Sequence, residues 1–280
     1  MPITSQQLEK EVAELSSLPT LPGVVQLLVQ MVKDENSTAM DLGRVISQDQ
    51  ALSARVLRMV NSPFYGFSGK ISSVSHALVL LGFNVVKGLV LSAAVFESLI
   101  SEMKGIGAHS LGTAILSRHL ANALHMPDPD EILVAGLLHD LGKVILAHIA
   151  PEDYAAVRNV SAVKGIHTSA AELEIFGFDH TFAASLVTEA WHLPPTLAIG
   201  MCYHHQPSES PEQPETAALI HLANILARCM GYGDPGDSTM PPADREAIEG
   251  LGLSDDALRA VLRSAEEDFA SGADELSYWG

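Results

Sequence analysis

The residues able to do chemistry gather in one apolar stretch of this 280-residue chain, ILVAGLLHDLGKVILAHI at 132–149. His139, Asp140 and Lys143 interrupt a run that is otherwise hydrophobic around most of its circumference. A helix of that kind belongs in a protein interior. Burying a charge there is costly unless it is paired, hydrogen-bonded or bound to a metal. Read as one continuous helix, the stretch sets His139 and Lys143 four apart and Asp140 and Lys143 three apart, so all three share a face. Imidazole with carboxylate suits zinc, iron, manganese or nickel. Such a stripe needs partners of the same chemistry from elsewhere in the chain.

Twelve histidines are available to supply them. His109 opens the segment AHSLGTA, His180 opens another within FDHTFAA, and His204 and His205 close a third in YHHQP. Together with HDLGK, these are four separate segments that end or centre on metal-capable side chains. A single histidine on an apolar helix is usually a satisfied core or surface residue. We read His76, His119, His125, His148, His167, His192 and His221 in that way.

The elements that must position these groups read as helices throughout. Hydrophobic residues make up 47% of the chain and aromatics 5%, with Ala, Leu and Val dominant, a balance that favours helix packing over a β-sandwich. Residues 5–16 form a short amphipathic helix, stopped by SSLPTLPG, where Pro19 and Pro22 enforce extended backbone. A helix over 24–34 follows. Ser37 or Thr38 caps the next, and Asp49 caps one beginning at Ala51. After the loop NSPFYGFSGKISS, helical pattern resumes at Val74, breaks near Gly82 and runs on to about Leu99. The second half continues as helices around His109, at 151–163, 167–177, 179–194 and 195–207, and from Thr216. GDPGDSTMPP (233–242) reads as a flexible loop before one or two closing helices. No run alternates long enough to be a strand, so the expected fold is all-α.

Charge and composition exclude several roles. Against 34 acidic residues stand 16 basic ones, a formal charge of −18, and such a field repels a polyanion. Nucleic acid is therefore not an expected partner. A small phosphorylated ligand is still allowed where a metal inverts the local charge. Cys202 and Cys229 lack CxxC spacing and read as reduced thiols. The start of the chain lacks a basic, then apolar, secretory pattern. The longest apolar block, 77–100, is interrupted by Gly82, Asn84, Lys87 and Glu97, whereas a span needs about 20 predominantly apolar residues. The expectation is a soluble cytoplasmic protein without membrane association.

AGLLHDLGK resembles the metal-binding core of the HD phosphohydrolase superfamily. The wider pattern resembles the HDOD domain, a bacterial signalling output module related to the HD-GYP phosphodiesterases. LPTLPGVVQLLVQ, RVISQDQALSARVLRMVNSPFYG, ISSVSHALVLLG, GLLHDLGK, ELEIFGFDH, WHLPPTLAIGMCYHHQP and IHLANILA carry it, in order, over roughly residues 18–230. The resemblance implies an HD-like helical core at 107–232, an N-terminal helical bundle at 1–106, and a loop and helices at 233–280 packed back on the core.

The resemblance also implies roles. His109 matches the first histidine of the superfamily, and His139 and Asp140 are the named pair, with Asp140 the bridging ligand if two ions bind. His180, His204 and His205 match the histidines that the HD-GYP branch uses for a second metal. Lys143 matches the lysine after the pair, which either contacts a substrate phosphate or holds the carboxylate; with Asp140 it would be the catalytic group. One or two transition-metal ions are expected, iron first, with manganese, zinc or nickel as alternatives. The superfamily's late Asp falls at Asn224, whose amide can coordinate but carries no charge and cannot act as a base. The GYP loop is replaced by HHQPSESPEQPE. Both departures weigh toward a regulatory module that binds a signalling protein. A metal-dependent phosphohydrolase acting on a nucleotide or other small phosphoester is the alternative, and a metal- or redox-sensing domain a third reading.

Overall fold

A computed structural model describes residues 2–15, 38–48, 53–54, 56–57, 60–61, 71–99, 103 and 105–271, and among these there is no strand. The expected Pro19–Pro22 break, the helix over 24–34, the Asp49 cap and residues 62–70 of the turn-rich loop lie outside the described residues. The all-α reading holds.

Local sequence sets the helix starts. In α1 (Ser5–Leu15), the Thr4 hydroxyl accepts from the Gln7 amide at 3.3 Å while Gln7 Oε1 accepts from the Thr4 amide at 2.9 Å. The same reciprocal box opens α2 (Ala39–Gln48), where the Thr38 hydroxyl accepts from the Asp41 N–H at 3.2 Å and Asp41 Oδ2 accepts from the Thr38 N–H at 3.2 Å. Of the two residues expected there, Thr38 is therefore the cap. Replacing it with Ala should cost about 1 kcal/mol. The urea midpoint of unfolding reads this directly, and a midpoint equal to wild type would refute the cap's contribution. In α3 (Val74–Leu99), Gly82 takes φ 81 and ψ 171, which breaks the helix into two legs where the sequence placed the break.

The body is built from α4 (Ile106–Ala123), α5 (Pro129–Leu138), α6 (Leu141–Ile149), α7 (Pro151–Lys164), α8 (Thr168–Phe176), α9 (His180–Ala190), α10 (Pro195–Tyr203) and α11 (Pro214–Cys229). α12 (Arg245–Gly250) and α13 (Asp255–Ser271) follow. α4 packs on α5, α11 and α13; α5 also packs on α10 and α3; α9 packs on α6, α10 and α1. One continuous apolar core joins them, from Leu8 and Val12 through Leu116, Leu138 and Trp191 to Val261 and Ala265. At about 1.5–3 kcal/mol for each large apolar side chain removed from water, this core is what holds the helix faces in register.

Two sequence expectations change here. The stretch 132–149 is not one helix: α5 begins at Pro129, a favourable first-turn residue, and ends at Leu138, and α6 starts at Leu141. His139 and Asp140 form the joint, and the Lys143 amide donates to the Asp140 carbonyl at 3.0 Å in a tightened i→i+3 turn. The shared face survives because Asp140, with φ −94 and ψ 12, departs only modestly from helical geometry. By length and composition Pro129–Ile149 could cross a bilayer, yet 89% of that window is buried inside the protein, as befits a core element. The other change is the 233–242 loop, expected to be flexible. Asp237 and Pro235 within it are tied to α8, α11 and Lys143 by the bonds described below.

Candidate metal centre

The α5–α6 joint delivers Asp140 into a ring of imidazoles. His109 comes from α4, His139 from the joint, His180 from the first residue of α9, and His204 and His205 from the end of α10. His109, His139, His180 and His204 are 0% exposed and Asp140 is 1% exposed; His205 alone keeps a partly exposed edge. The two carboxylate oxygens face different partners. Oδ2 lies 3.7 Å from His109 Nε2 and 3.3 Å from His139 Nε2. Oδ1 lies 3.4 Å from His180 Nε2 and 3.6 Å from His204 Nε2. His180 Nε2 is in turn 3.3 Å from His204 Nε2 and 3.0 Å from His205 Nε2. Two sets of potential ligands result, Asp140 with His109 and His139, and Asp140 with His180, His204 and His205.

Hydrogen bonds on the far side of the rings decide which nitrogen faces Asp140 as a lone pair. His139 Nδ1 donates to the Gly136 carbonyl at 2.7 Å and His204 Nδ1 donates to the Met201 carbonyl at 3.1 Å. His180 Nδ1 donates to Glu172 Oε2 at 2.6 Å, and that oxygen also accepts from the His180 amide at 2.8 Å. In the neutral form all three Nε2 atoms are therefore acceptors, and they point at an acceptor-only carboxylate. Buried lone pairs converging in this way repel one another unless a cation lies between them.

The spacing suits a cation. Bonds of about 2.1 Å to a tetrahedral metal put neighbouring ligand atoms about 3.4 Å apart, close to the distances above. Both nitrogens of His109, Nε2 of His139 and Oδ1 of Asp140 are buried without a hydrogen-bond partner among the described residues. So are both amide atoms of Asn224, which is fully buried on α11. The donor set thus fits a transition metal, and anchored Nδ1 atoms are the usual support for imidazole ligands.

The electrostatics of His109, His204, His205 and Asp140 suit ligation, which requires neutral imidazole and ionised carboxylate, whereas at His180 a cation would compete with a proton. Burial drives His109 and His205 well below the ordinary imidazole range and His204 down to about 3. Burial pulls His180 the same way, but Glu172 outweighs it and raises the ring's pKa. Burial also opposes the charge on Asp140, yet His139 and Lys143 beside it hold its carboxyl well below the usual range. Lys143, 0% exposed, donates to Asp140 Oδ2 at 2.8 Å and to the Pro235 carbonyl at 3.2 Å. Of its two expected contacts, the structure has it holding the carboxylate.

Several participants escaped sequence reasoning. Glu172 is fully buried, orients His180 and accepts from the Tyr154 hydroxyl at 3.2 Å; an acidic residue eight before the ligand-like histidine in ELEIFGFDH was the available signal. His167, read as an ordinary histidine, is buried with its ring 5.1 Å from that of His205. Asp237 and Arg228, also missed, pair at 2.9 Å beside it. His221 is satisfied by backbone, donating to the His204 carbonyl at 2.7 Å and accepting from the Asp244 amide at 2.9 Å.

Comparison with known proteins bears on the family and the fold. The sequence profile of the HDOD domain matches residues 18–207. An HDOD domain protein of unknown function from Geobacter sulfurreducens superimposes with a TM-score of 0.70 at 25% identity, covering 97% of this chain and 98% of that one. A Shewanella amazonensis SB2B protein provisionally named a phosphohydrolase gives a TM-score of 0.66 at 22% identity over 95% and 97% of the two chains. An uncharacterized protein of Treponema pallidum (strain Nichols) is 24% identical over 230 residues, 79% of this chain and 44% of its own length. The chain thus spans less than half of that curated relative.

Proposed function

We propose, since the chain belongs to the HDOD domain family, that it is a regulatory module of bacterial signal transduction. In this reading it binds a signalling protein and retains a transition-metal site, iron first, without efficient turnover. The observation that carries this is closure: the cage is almost wholly buried, and the Pro235 carbonyl caps Lys143, the cation bonded to the cage carboxylate. His109, His139 and Asp140 would hold one ion, and Asp140, His180, His204 and His205 a second. When bound, such ions supply Lewis acidity and lower the pKa of water toward neutrality. The chain's own residues do the positioning. Glu172 keeps the proton on His180 Nδ1, Lys143 fixes the Asp140 carboxylate, and Asn224 offers an uncharged amide that cannot take a proton as a base. The acidic surface suits a protein partner with a basic face.

The alternative, a metal-dependent phosphohydrolase acting on a small phosphoester, draws support from the complete histidine set and from the partly exposed edge of His205. Iron- and manganese-loaded protein should be assayed on cyclic dinucleotides, nucleoside phosphates and a generic phosphodiester. The regulatory reading expects turnover no faster than that of His139→Ala, and a signalling protein recovered by co-purification. Turnover well above that control would make the protein a hydrolase instead.

One positioning residue gives a graded test. Glu172→Gln should weaken metal binding at the His180 side about 10–100-fold while the His109 side keeps its ion. Metal titration followed by elemental analysis reads the two steps, and a variant that titrates like wild type would remove Glu172 from this role.

A further inference from the structure

Asp237 belongs to neither ligand set, yet it is held more thoroughly than an ordinary loop carboxylate. Its Oδ2 accepts from the Thr168 amide at 2.9 Å and the Thr168 hydroxyl at 2.5 Å, at the first residue of α8. Its Oδ1 accepts from Arg228 Nη1 and from the amide and hydroxyl of Thr239, each at 2.9 Å. The Asp237 and Arg228 side chains are 1% and 3% exposed. These five bonds already exceed the roughly four acceptor positions of a carboxylate.

Further donors remain unused. Arg228 Nε and Nη2 and His167 Nε2 are buried without hydrogen-bond partners among the described residues. His167 Nδ1 accepts from the Ser169 amide at 3.3 Å and lies 2.7 Å from the Ser169 hydroxyl, so the neutral ring carries its proton on Nε2. That nitrogen points toward Asp237 Oδ2 from 3.7 Å. A helix N-terminus, an arginine fork with two idle nitrogens bearing three N–H groups, and an imidazole N–H therefore lie beside a group too small to satisfy them. A phosphate, with three strong acceptor oxygens, matches that donor set better than a carboxylate.

We propose that Thr168, Arg228 and His167 form a pocket for the phosphate of a small phosphorylated ligand, and that Asp237 fills it as an internal stand-in. The burial of the His167, Arg228 and Asp237 side chains restricts it to small molecules. Its position links it to the cage, because the residue two before Asp237, Pro235, supplies the carbonyl on Lys143, and the His167 ring adjoins that of His205. A ligand that displaces Asp237 would draw the 233–239 segment away and uncover Lys143. The proposal goes beyond the regulatory reading and needs no metal, so a phosphate result and a metal-content result stand or fall separately.

The test is calorimetric titration of inorganic phosphate into wild-type protein, Asp237→Ser and Asp237→Asn, the last preserving side-chain shape. Removing the resident charge should tighten phosphate binding ~100-fold, because the phosphate then no longer competes with an internal carboxylate for the same charge-assisted donors. Adding Arg228→Gln to either variant should abolish the gain. A folded Asp237→Asn protein that binds phosphate no better than wild type overturns the proposal. So does tight binding that survives Arg228→Gln, since the phosphate would then sit on the metal cage. Wild-type protein provides a reading even if both variants misfold. Phosphate, but not chloride at equal ionic strength, should speed amide hydrogen exchange across 233–239, and indifference of that segment overturns the idea.

Discussion

Asp140→Ala protein should purify free of transition metal and melt on the order of 10 °C below wild type. Two separate losses combine in that one change. Asp140 is the single residue common to both ligand sets, with Oδ2 toward His109 and His139 and Oδ1 toward His180 and His204. Without it each set is reduced to imidazoles alone, with no anion to balance a dication. The substitution also strands Lys143, a fully buried ammonium whose carboxylate partner lies 2.8 Å away. Removing one member of a buried pair costs about 3–5 kcal/mol, because the survivor's charge is left unpaired. Elemental analysis and thermal unfolding separate the two losses when Lys143→Met is added: the double variant should recover much of the stability and none of the metal. Undiminished metal content in Asp140→Ala would sink the bridging assignment outright.

Gly142→Ala should destabilise the protein by about 3 kcal/mol or more, the reverse of what helix propensity predicts. Inside a helix this exchange normally gains close to 1 kcal/mol. Here a Cβ on Gly142 would stand 1.9 Å from the His180 carbonyl oxygen, 2.9 Å from its carbon and 3.2 Å from the Ala184 nitrogen. All three are backbone atoms of α9, so no side-chain rotation relieves the clash and α6 and α9 must part. The damage reaches the cage, since the same two helices set the 3.4 Å spacing of His180 from Asp140. Urea unfolding should show a lowered midpoint, and metal titration a weakened His180 side. A variant as stable as wild type, with unchanged metal binding, would mean that the close approach of these helices is dispensable.

A buried cage also bears on the choice between regulation and catalysis. Its candidate ligands are supplied by four segments that the core clamps together, so metal occupancy would be coupled to the packing of α4, α6, α9 and α10. An ion that binds only the folded arrangement stabilises it by mass action. In the proposed regulatory reading, that coupling would let the module report metal or ligand status through its surface without chemical turnover.

The features legible from the chain alone are local. Apolar spacing predicted helices without strands, Ser37 or Thr38 marked a start and Gly82 a break, and the buried-helix pattern around HDLGK singled out His139 and Asp140. These properties depend on neighbours within a turn or two, and a side chain's ligand chemistry travels with its identity. The contacts that join distant segments came from the packed fold. It broke the 132–149 stretch at the His-Asp joint, gave each Asp140 oxygen its own histidines, and drew Glu172 to His180. It also turned a loop that reads as flexible into a clasp, through a Thr168–Asp237 contact spanning 69 residues and a Lys143–Pro235 contact spanning 92. Hydrogen bonds of that range form only when packing has fixed where both ends lie, and no periodicity or motif encodes the meeting.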